Sequence, residues 1–381
     1  MKVLHIITSL EMGGAQMMLY EHLRISKNFG VNNYVISLLG EDVIGDKIKK
    51  LGIPVVLLKT PLNKSLLSPW NFVYELTLLI NKLKPHLIHS SMTHANLICG
   101  VSKVIGVITP IIWSIHNSEL TLKHNALSTL GASKLCSILS YSVPQKIIYC
   151  SEHARSVHEN YGYNNRKSDI IENGIDLIKF SANPQSHISI RKELGLKKDT
   201  FLIGSIGRYH KIKNYPVFIV AAGLFHKIKP KTHFILCGNG LTWDNKNIVK
   251  LIKKNHLESV IHLIGERNDV EKVIASLDIA VNTSIDESFS LTMAEAMACE
   301  VPSVSSNIQG LKNLMGSACY YAQVDNAQDF TYKWINIYNM TLNEKKKVGA
   351  NARKRIKNKY SVEIMTKKYL KIYHNIVSDE I

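Results

Sequence analysis

The segment Asp286-Glu287-Ser288-Phe289-Ser290-Leu291-Thr292-Met293-Ala294-Glu295-Ala296-Met297-Ala298 sets two glutamates eight positions apart, directly after a strand-like run, Ile279-Ala280-Val281-Asn282-Thr283. A helix-like run carries Glu295, and the chain then turns through Val301-Pro302-Ser303-Val304. This order puts Glu287 in a loop at the C-terminal edge of a strand and Glu295 two turns along the next helix. A helix start offers unpaired backbone N–H groups and a positive dipole end to an anion. Carboxylates accept hydrogen bonds from hydroxyls with defined geometry. Two of them flanking a helix start can grip a ligand that carries both hydroxyls and phosphate.

The same strand–loop–helix alternation runs through the whole chain, which argues for parallel sheets joined by crossover helices. Strands are expected near residues 2–8, 34–39, 55–58, 87–90, 111–115 and 146–150 in the first half. In the second half they are expected near 201–206, 233–237, 260–263, 279–282 and 302–305. Most are continuous apolar runs, the pattern of a sheet covered on both faces. At 381 residues the chain exceeds the usual size of one core, so two domains are expected. The polar stretch from Asp176 to Thr200 separates them.

Composition narrows the class. The chain is 45% apolar and 20% charged, with no low-complexity segment and no solenoid repeat. The six cysteines are scattered, without metal spacing, and read as small core residues of a reducing, cytoplasmic compartment. The longest apolar stretch, residues 97–115, is broken by Lys103 and Pro110 and does not read as a membrane span. A net charge of +17 suits anionic partners. No nucleic-acid module accompanies it, so nucleic acid is not expected. Solvated lysine faces explain the charge as well as attraction to an anionic membrane surface does.

Further groups fall at strand ends. Gly13-Gly14-Ala15-Gln16 opens the first helix, where glycines allow close backbone approach to a ligand, although such a pair also marks a plain tight turn. The dinucleotide fingerprint is absent there, which weighs against a dehydrogenase. Gly207-Arg208-Tyr209-His210-Lys211-Ile212-Lys213 follows the first strand of the second half. Arg208 and Lys213 could neutralise a diphosphate as charge builds on it, though a basic loop taken alone is also ordinary surface. His116 ends the strand at 111–115 and could meet a sugar hydroxyl or simply pack. Glu172-Asn173-Gly174-Ile175-Asp176 reads as a turn with glycine supplying an unusual backbone angle. No nucleophile elbow and no metal-ligand spacing occur, so chemistry without an obligatory metal or cofactor is expected.

In this order and spacing the segments resemble the retaining glycosyltransferases of family 4, with their paired-glutamate motif and GT-B fold. They are Gly13-Gly14-Ala15-Gln16, His116, Glu172 to Asp176, Gly207-Arg208 with Lys213, Ile264-Gly265 ahead of Asp269-Val270, and Glu287 to Glu295. The resemblance implies two Rossmann-like domains facing across a cleft. Residues 1–178 would be the acceptor side, 179–358 the nucleotide-sugar side, and 359–381 a helix returning to the first domain. It further implies that Arg208 and Lys213 bind the donor diphosphate, with backbone amides of Phe289, Ser290 and Leu291 on its phosphates. Glu295 would hold the ribose, Glu287 and His116 would lie near the transferred sugar, and Gly13 and Gly14 would approach the diphosphate. The implied reaction moves a hexose from a UDP- or GDP-linked donor to a hydroxyl of a saccharide or lipid-linked glycan. A nucleotide-sugar epimerase of the same fold and a non-catalytic binding subunit are the alternatives. The family usually has glycine where this chain has Ser288, Ser290 and Glu300. The two serines bear on donor choice, and Glu300 tests whether its turn needs a positive backbone angle, which costs a non-glycine about 1 kcal/mol.

Overall fold

The computed structural model describes residues 1–40, 43–58, 68–117, 120 and 126–379. The chain divides into two compact units, one of Met1–Gly174 with Val362–Ile381 and one of Ile175–Ser361.

Among the described residues the first unit is built on a seven-stranded parallel sheet. Its strands are β1 (Lys2–Ile7), β2 (Asn32–Ser37), β3 (Val55–Leu57), β4 (Leu87–Ser91), β5 (Ile111–Ile115), β6 (Lys146–Tyr149) and β7 (Ser168–Ile170), in the order β3-β2-β1-β4-β5-β6-β7. The crossovers are α1 (Gly14–Ser26), α2 (Val43–Lys50), α3 (Ser68–Leu83), α4 (Thr93–Val104), α5 (Leu127–Leu139) and α6 (Glu152–Asn160). Right-handed crossovers place helices on opposite faces wherever strand order reverses. Hence α1 and α2 pack together, while α3, α4 and α5 form a separate layer. Both faces are covered, and β4 and β5 are buried at every position, so neither shows the apolar–polar alternation of a half-exposed strand.

The second unit carries α7 (Pro184–Glu193), β8 (Phe201–Ile206), α8 (Tyr215–Ile228), β9 (Thr232–Cys237), α9 (Lys246–Lys254), β10 (Ile261–Leu263), α10 (Val270–Ala275) and β11 (Ile279–Asn282). It continues through α11 (Leu291–Ala298), β12 (Ser303–Ser306), α12 (Gln309–Met315), β13 (Tyr320–Ala322), α13 (Ala327–Tyr338) and α14 (Leu342–Lys359). Its six strands are parallel, in the order β10-β9-β8-β11-β12-β13. The expected doubly wound, two-sheet α/β architecture is therefore present. β7 and β13 lie outside the sequence expectation. Each is three residues long at a sheet edge and only partly buried, so neither shows the apolar run that marks the others.

The last helix, α15 (Val362–Ser378), packs on α1. The contact is made by a buried cluster of rings. His5 of β1, His89 of β4 and His22 of α1 are each at most 4% exposed and meet Tyr369 and Tyr373 of α15. The chain of bonds is satisfied by a donor order running from His22 to Ser114 and equally by its reverse. In the first order His22 Nε2 donates to the Tyr373 hydroxyl (3.3 Å), Tyr373 donates to His89 Nδ1 (2.5 Å), and His89 Nε2 donates to Ser114 Oγ (2.6 Å). His5 Nε2 donates to Asn33 Oδ1 at 3.0 Å. Burial holds the three imidazoles below their ordinary value, His5 at about 4.

Two local readings are settled here. Gly174 does not adopt a positive φ, so the turn reading is corrected. Glycine is needed there for close approach, because a Cβ would stand 2.6 Å from the Val362 backbone at the start of α15. Glu300, between α11 and β12, does adopt φ +62°. Its contact with Arg353 spans 3.8 Å at the surface and adds little. Glu300→Gly should therefore raise stability by about 0.5–1 kcal/mol. Urea unfolding would show a higher midpoint at unchanged slope, and an unchanged or lower midpoint refutes the strain.

Candidate functional site

In open parallel sheets, ligands sit beyond the C-terminal strand edges where strand order reverses. In the second sheet that point lies between β8 and β11. The loop after β8 carries Arg208 and Lys213, and the loop after β11 carries Glu287. Topology thus brings together residues 74 apart in sequence: the Lys213 ammonium is paired with Glu287 Oε1.

Further bonds stitch the two loops. Ile285 N donates to Ile212 O at 2.9 Å, and Thr283 Oγ1 donates to Lys213 O at 2.8 Å. Ser284 Oγ donates to Glu287 Oε1 at 3.1 Å. Lys213 closes a short 3-10 turn, Lys211–Lys213, capped by His210 Nδ1, which accepts from Ile212 N. Arg208 is exposed, and among the described residues it makes no hydrogen bond or ion pair, with Glu287 and Glu295 included. The sequence-predicted cations are thus held differently, one fixed against a carboxylate and the other free to meet an incoming anion.

The loop ends at α11. Asn282 ties it at both ends, its Oδ1 accepting from Ser284 N (2.8 Å) and its Nδ2 donating to Ser290 Oγ (3.3 Å). The Ser290 hydroxyl also lies 3.3 Å from that of Thr292, so this departure from glycine is absorbed by internal bonds. Ser290 makes no side-chain cap on the helix. The backbone N–H groups of Phe289, Ser290 and Leu291 donate to no protein acceptor among the described residues. They remain available to an anion at the positive end of α11.

Because α11 starts only at Leu291, Glu295 stands one turn along it rather than two. The residue is half-buried, and its carboxylate makes no hydrogen bond among the described residues. Burial pushes its carboxyl up to about 7; Lys179 opposes this and Glu271 adds to it. A carboxyl so poised gains from a ligand hydroxyl that restores its lost solvation.

One positioning residue was missed from sequence. Gly310, in the first turn of α12, packs on the loop so tightly that a Cβ would stand 1.8 Å from Glu287 O and 3.2 Å from Ser288 O. Its only sequence signal is a glycine soon after a strand, Asn307-Ile308-Gln309-Gly310. Gly310→Ala must push the Glu287 backbone away, and displacement of about 1 Å can cost about a hundredfold in rate. The expected result is a drop of tenfold or more in kcat/KM with the fold retained by circular dichroism. Unchanged kcat/KM would show that the loop adjusts freely.

In the first unit the strand order reverses between β1 and β4. Gly13 is the extended N-cap of α1 and Gly14 its first residue. A Cβ on Gly13 would meet only the movable Gln16 carboxamide, so the demand for glycine there is weak. His116 directly follows β5, and its buried Nδ1 has no hydrogen-bond partner among the described residues. Burial lowers its pKa to about 4. His116, Ala15 and Met18 line one small cavity of about 10 Å³ with His22, His89 and Tyr369, which brings the glycine loop and His116 to one place.

Among the described residues no cluster of three or more His, Cys, Asp or Glu could hold a metal ion. No described helix is long and apolar enough to cross a membrane. Five of the six cysteines are buried and Cys319 is half-buried.

Comparison with known proteins gives a consistent picture. Residues 12–179 match the profile of Glycosyltransferase Family 4, and residues 186–355 match that of Glycosyl transferases group 1. The chain is similar to the O-antigen biosynthesis glycosyltransferase WclY of Escherichia coli, 26% identical over 77% of this chain and 82% of that one. It is 22% identical to the UDP-Gal:alpha-D-GlcNAc-diphosphoundecaprenol alpha-1,3-galactosyltransferase of Escherichia coli, over 71% of this chain and 69% of the relative. Among solved structures, Anabaena Alr3699/HepE in complex with UDP-glucose superposes with a TM-score of 0.85 at 19% identity, covering 98% of this chain and all of the other.

Proposed function

Because the chain belongs to the family 4, group 1 glycosyltransferases, and so is a retaining nucleotide-sugar transferase of GT-B fold, we propose that it moves a hexose from a UDP-sugar to a hydroxyl of a lipid-linked glycan. The observation that carries this reading is the Lys213–Glu287 pair stitched beside the open N–H groups of α11, with Arg208 unpaired nearby in sequence. That set combines cations and amides for a diphosphate with a carboxylate for hydroxyls. The names of the relatives supply the rest: one uses UDP-Gal on a diphosphoundecaprenol-linked sugar, and another binds UDP-glucose.

The step proceeds by loosening of the bond between the anomeric carbon and the diphosphate oxygen. The leaving electron pair stays on the diphosphate, where Arg208, Lys213 and the α11 amides stabilise it. The acceptor oxygen then bonds the anomeric carbon from the same face, and its proton passes to the departing diphosphate. Glu287 and His116 orient the sugar, Glu295 holds the ribose, and the Gly13-Gly14 turn approaches the diphosphate. No protein nucleophile or obligatory metal is part of this route. The reaction takes place at the cytoplasmic membrane face, where such an acceptor resides.

The test incubates the isolated chain with UDP-hexoses and a diphosphate-linked saccharide, followed by NMR of the product. Transfer with retained anomeric configuration is expected. A second sugar nucleotide formed without acceptor would instead identify an epimerase. A donor that raises the melting temperature by mass action but is neither hydrolysed nor transferred would identify a non-catalytic binding subunit.

A further inference from the structure

The helical layer of the first unit has an unusual outer face. On α3, Trp70, Tyr74 and Leu78 are 62%, 64% and 50% exposed. Spaced by four residues, they form one stripe along the helix. α3 packs on α4, and the turn that ends α4 adds Ile105 and Ile108, 52% and 88% exposed. The turn after α3 and the turn after α4 are joined, since Thr109 Oγ1 donates to Pro85 O at 3.5 Å. Lys103 Nζ fixes the second turn by donating to Ile108 O and Thr109 O. Leu78, Ile105 and Ile108 therefore share one end of the α3–α4 pair with Lys82 and Lys84, both exposed. From residue 68 to residue 110 the chain carries Lys82, Lys84 and Lys103 against a single carboxylate, Glu75.

A soluble surface rarely displays a tryptophan, a tyrosine and three large aliphatic chains together without an occupant. Exposed Trp and Tyr on a helix lying beside lysines match the boundary between lipid headgroups and acyl chains. We propose that α3 and the α4–β5 turn seat on an anionic phospholipid bilayer. Trp70, Tyr74, Leu78, Ile105 and Ile108 enter the headgroup boundary, while Lys82 and Lys84 meet lipid phosphates. Complementary charge selects this occupant, because the patch and the whole chain are positive. The inference deepens the lipid-linked acceptor reading and rests on it for its purpose, since docking would hold the enzyme where that acceptor is anchored.

Sedimentation of the full chain with vesicles of phosphatidylcholine containing about one third phosphatidylglycerol tests it, at about 0.1 M salt. Binding to these vesicles, with little to pure phosphatidylcholine, is the expected result. The triple variant Trp70→Ser, Tyr74→Ser, Leu78→Ser should lower partitioning about tenfold or more. Lys82→Glu with Lys84→Glu should lower it several-fold, and less so at high salt. Transfer to a water-soluble acceptor should be unchanged in both variants. No anionic preference in the parent chain, or equal partitioning of the triple variant, would overturn the proposal. So would sedimentation velocity showing that the stripe joins two copies of the chain. If the parent chain binds vesicles but transfers no sugar, docking stands and the transferase reading falls.

Discussion

Lys213→Ala should lower kcat by about a hundredfold to a thousandfold, a loss of roughly 3–4 kcal/mol in barrier stabilisation. The size follows from where the ammonium sits. It is fixed by Glu287 and by bonds between the 211–214 and 283–287 loops, so in the proposed reaction it would be preorganised before charge develops on the leaving diphosphate. The effect should fall on kcat more than on donor affinity, since charge on the bridging oxygen is greater in the transition state than in the bound donor. The same substitution leaves the Glu287 carboxylate, only 13% exposed, with Ser284 as its one side-chain partner among the described residues, so a modest loss of stability should accompany it. Arg208→Ala separates the two effects. Arg208 is exposed and unpaired among the described residues, so its removal should cut turnover without moving the melting temperature. Steady-state kinetics with a UDP-hexose beside thermal unfolding reads both. Undiminished turnover by Lys213→Ala would remove the central assignment.

Acid should unfold the first unit well before its carboxylates alone would require. His5 is buried and held at about 4, against 6.5 when unfolded. Above pH 6.5 the imidazole is neutral in both states and contributes nothing to the pH dependence. As pH falls from 6.5 toward 4, the unfolded chain takes up a proton that the folded chain refuses. Stability therefore drops, by about 3 kcal/mol at pH 4 for this one group. His158, fully buried in α6, is likewise held at about 4 and adds a similar term. His22 and His89 are likewise held well below their ordinary value, by burial and by neighbouring imidazoles. Glu295 in the second unit works in the opposite direction, because its raised carboxyl takes up a proton more readily when folded. Urea unfolding at pH 7, 5.5 and 4.5 should show a steep fall in the midpoint, with α15 protection lost together with the first sheet. His5→Gln should flatten part of that slope. A midpoint that holds constant between pH 7 and 4.5 would contradict neutral burial of these rings.

Much of the architecture was legible because parallel strands covered on both faces leave continuous apolar runs, as at residues 111–115 and 279–282. β7 and β13 escaped because a three-residue edge strand needs little apolar surface. At the site, residue types at strand ends were readable: Arg208, Lys213, Glu287 and Glu295 all lie on or just beyond the elements expected. Gly310 was not readable, because its need for glycine comes from the Glu287 carbonyl packed against it. The ring cluster was hidden for a similar reason. His5, His22, His89 and Tyr373 are scattered along the chain and no local pattern links them.

Sequence alone determined the two parallel sheets, a helix following the Glu287 loop and the basic loop after β8, since periodicity and turn chemistry are local properties of the backbone. Only the tertiary structure decided that Lys213 grips Glu287, that Arg208 has no partner among the described residues, and that Glu295 is buried enough to hold a proton near neutrality. Pairing, exposure and desolvation depend on which strands lie side by side. Here the reversal of strand order between β8 and β11 brings the two loops together.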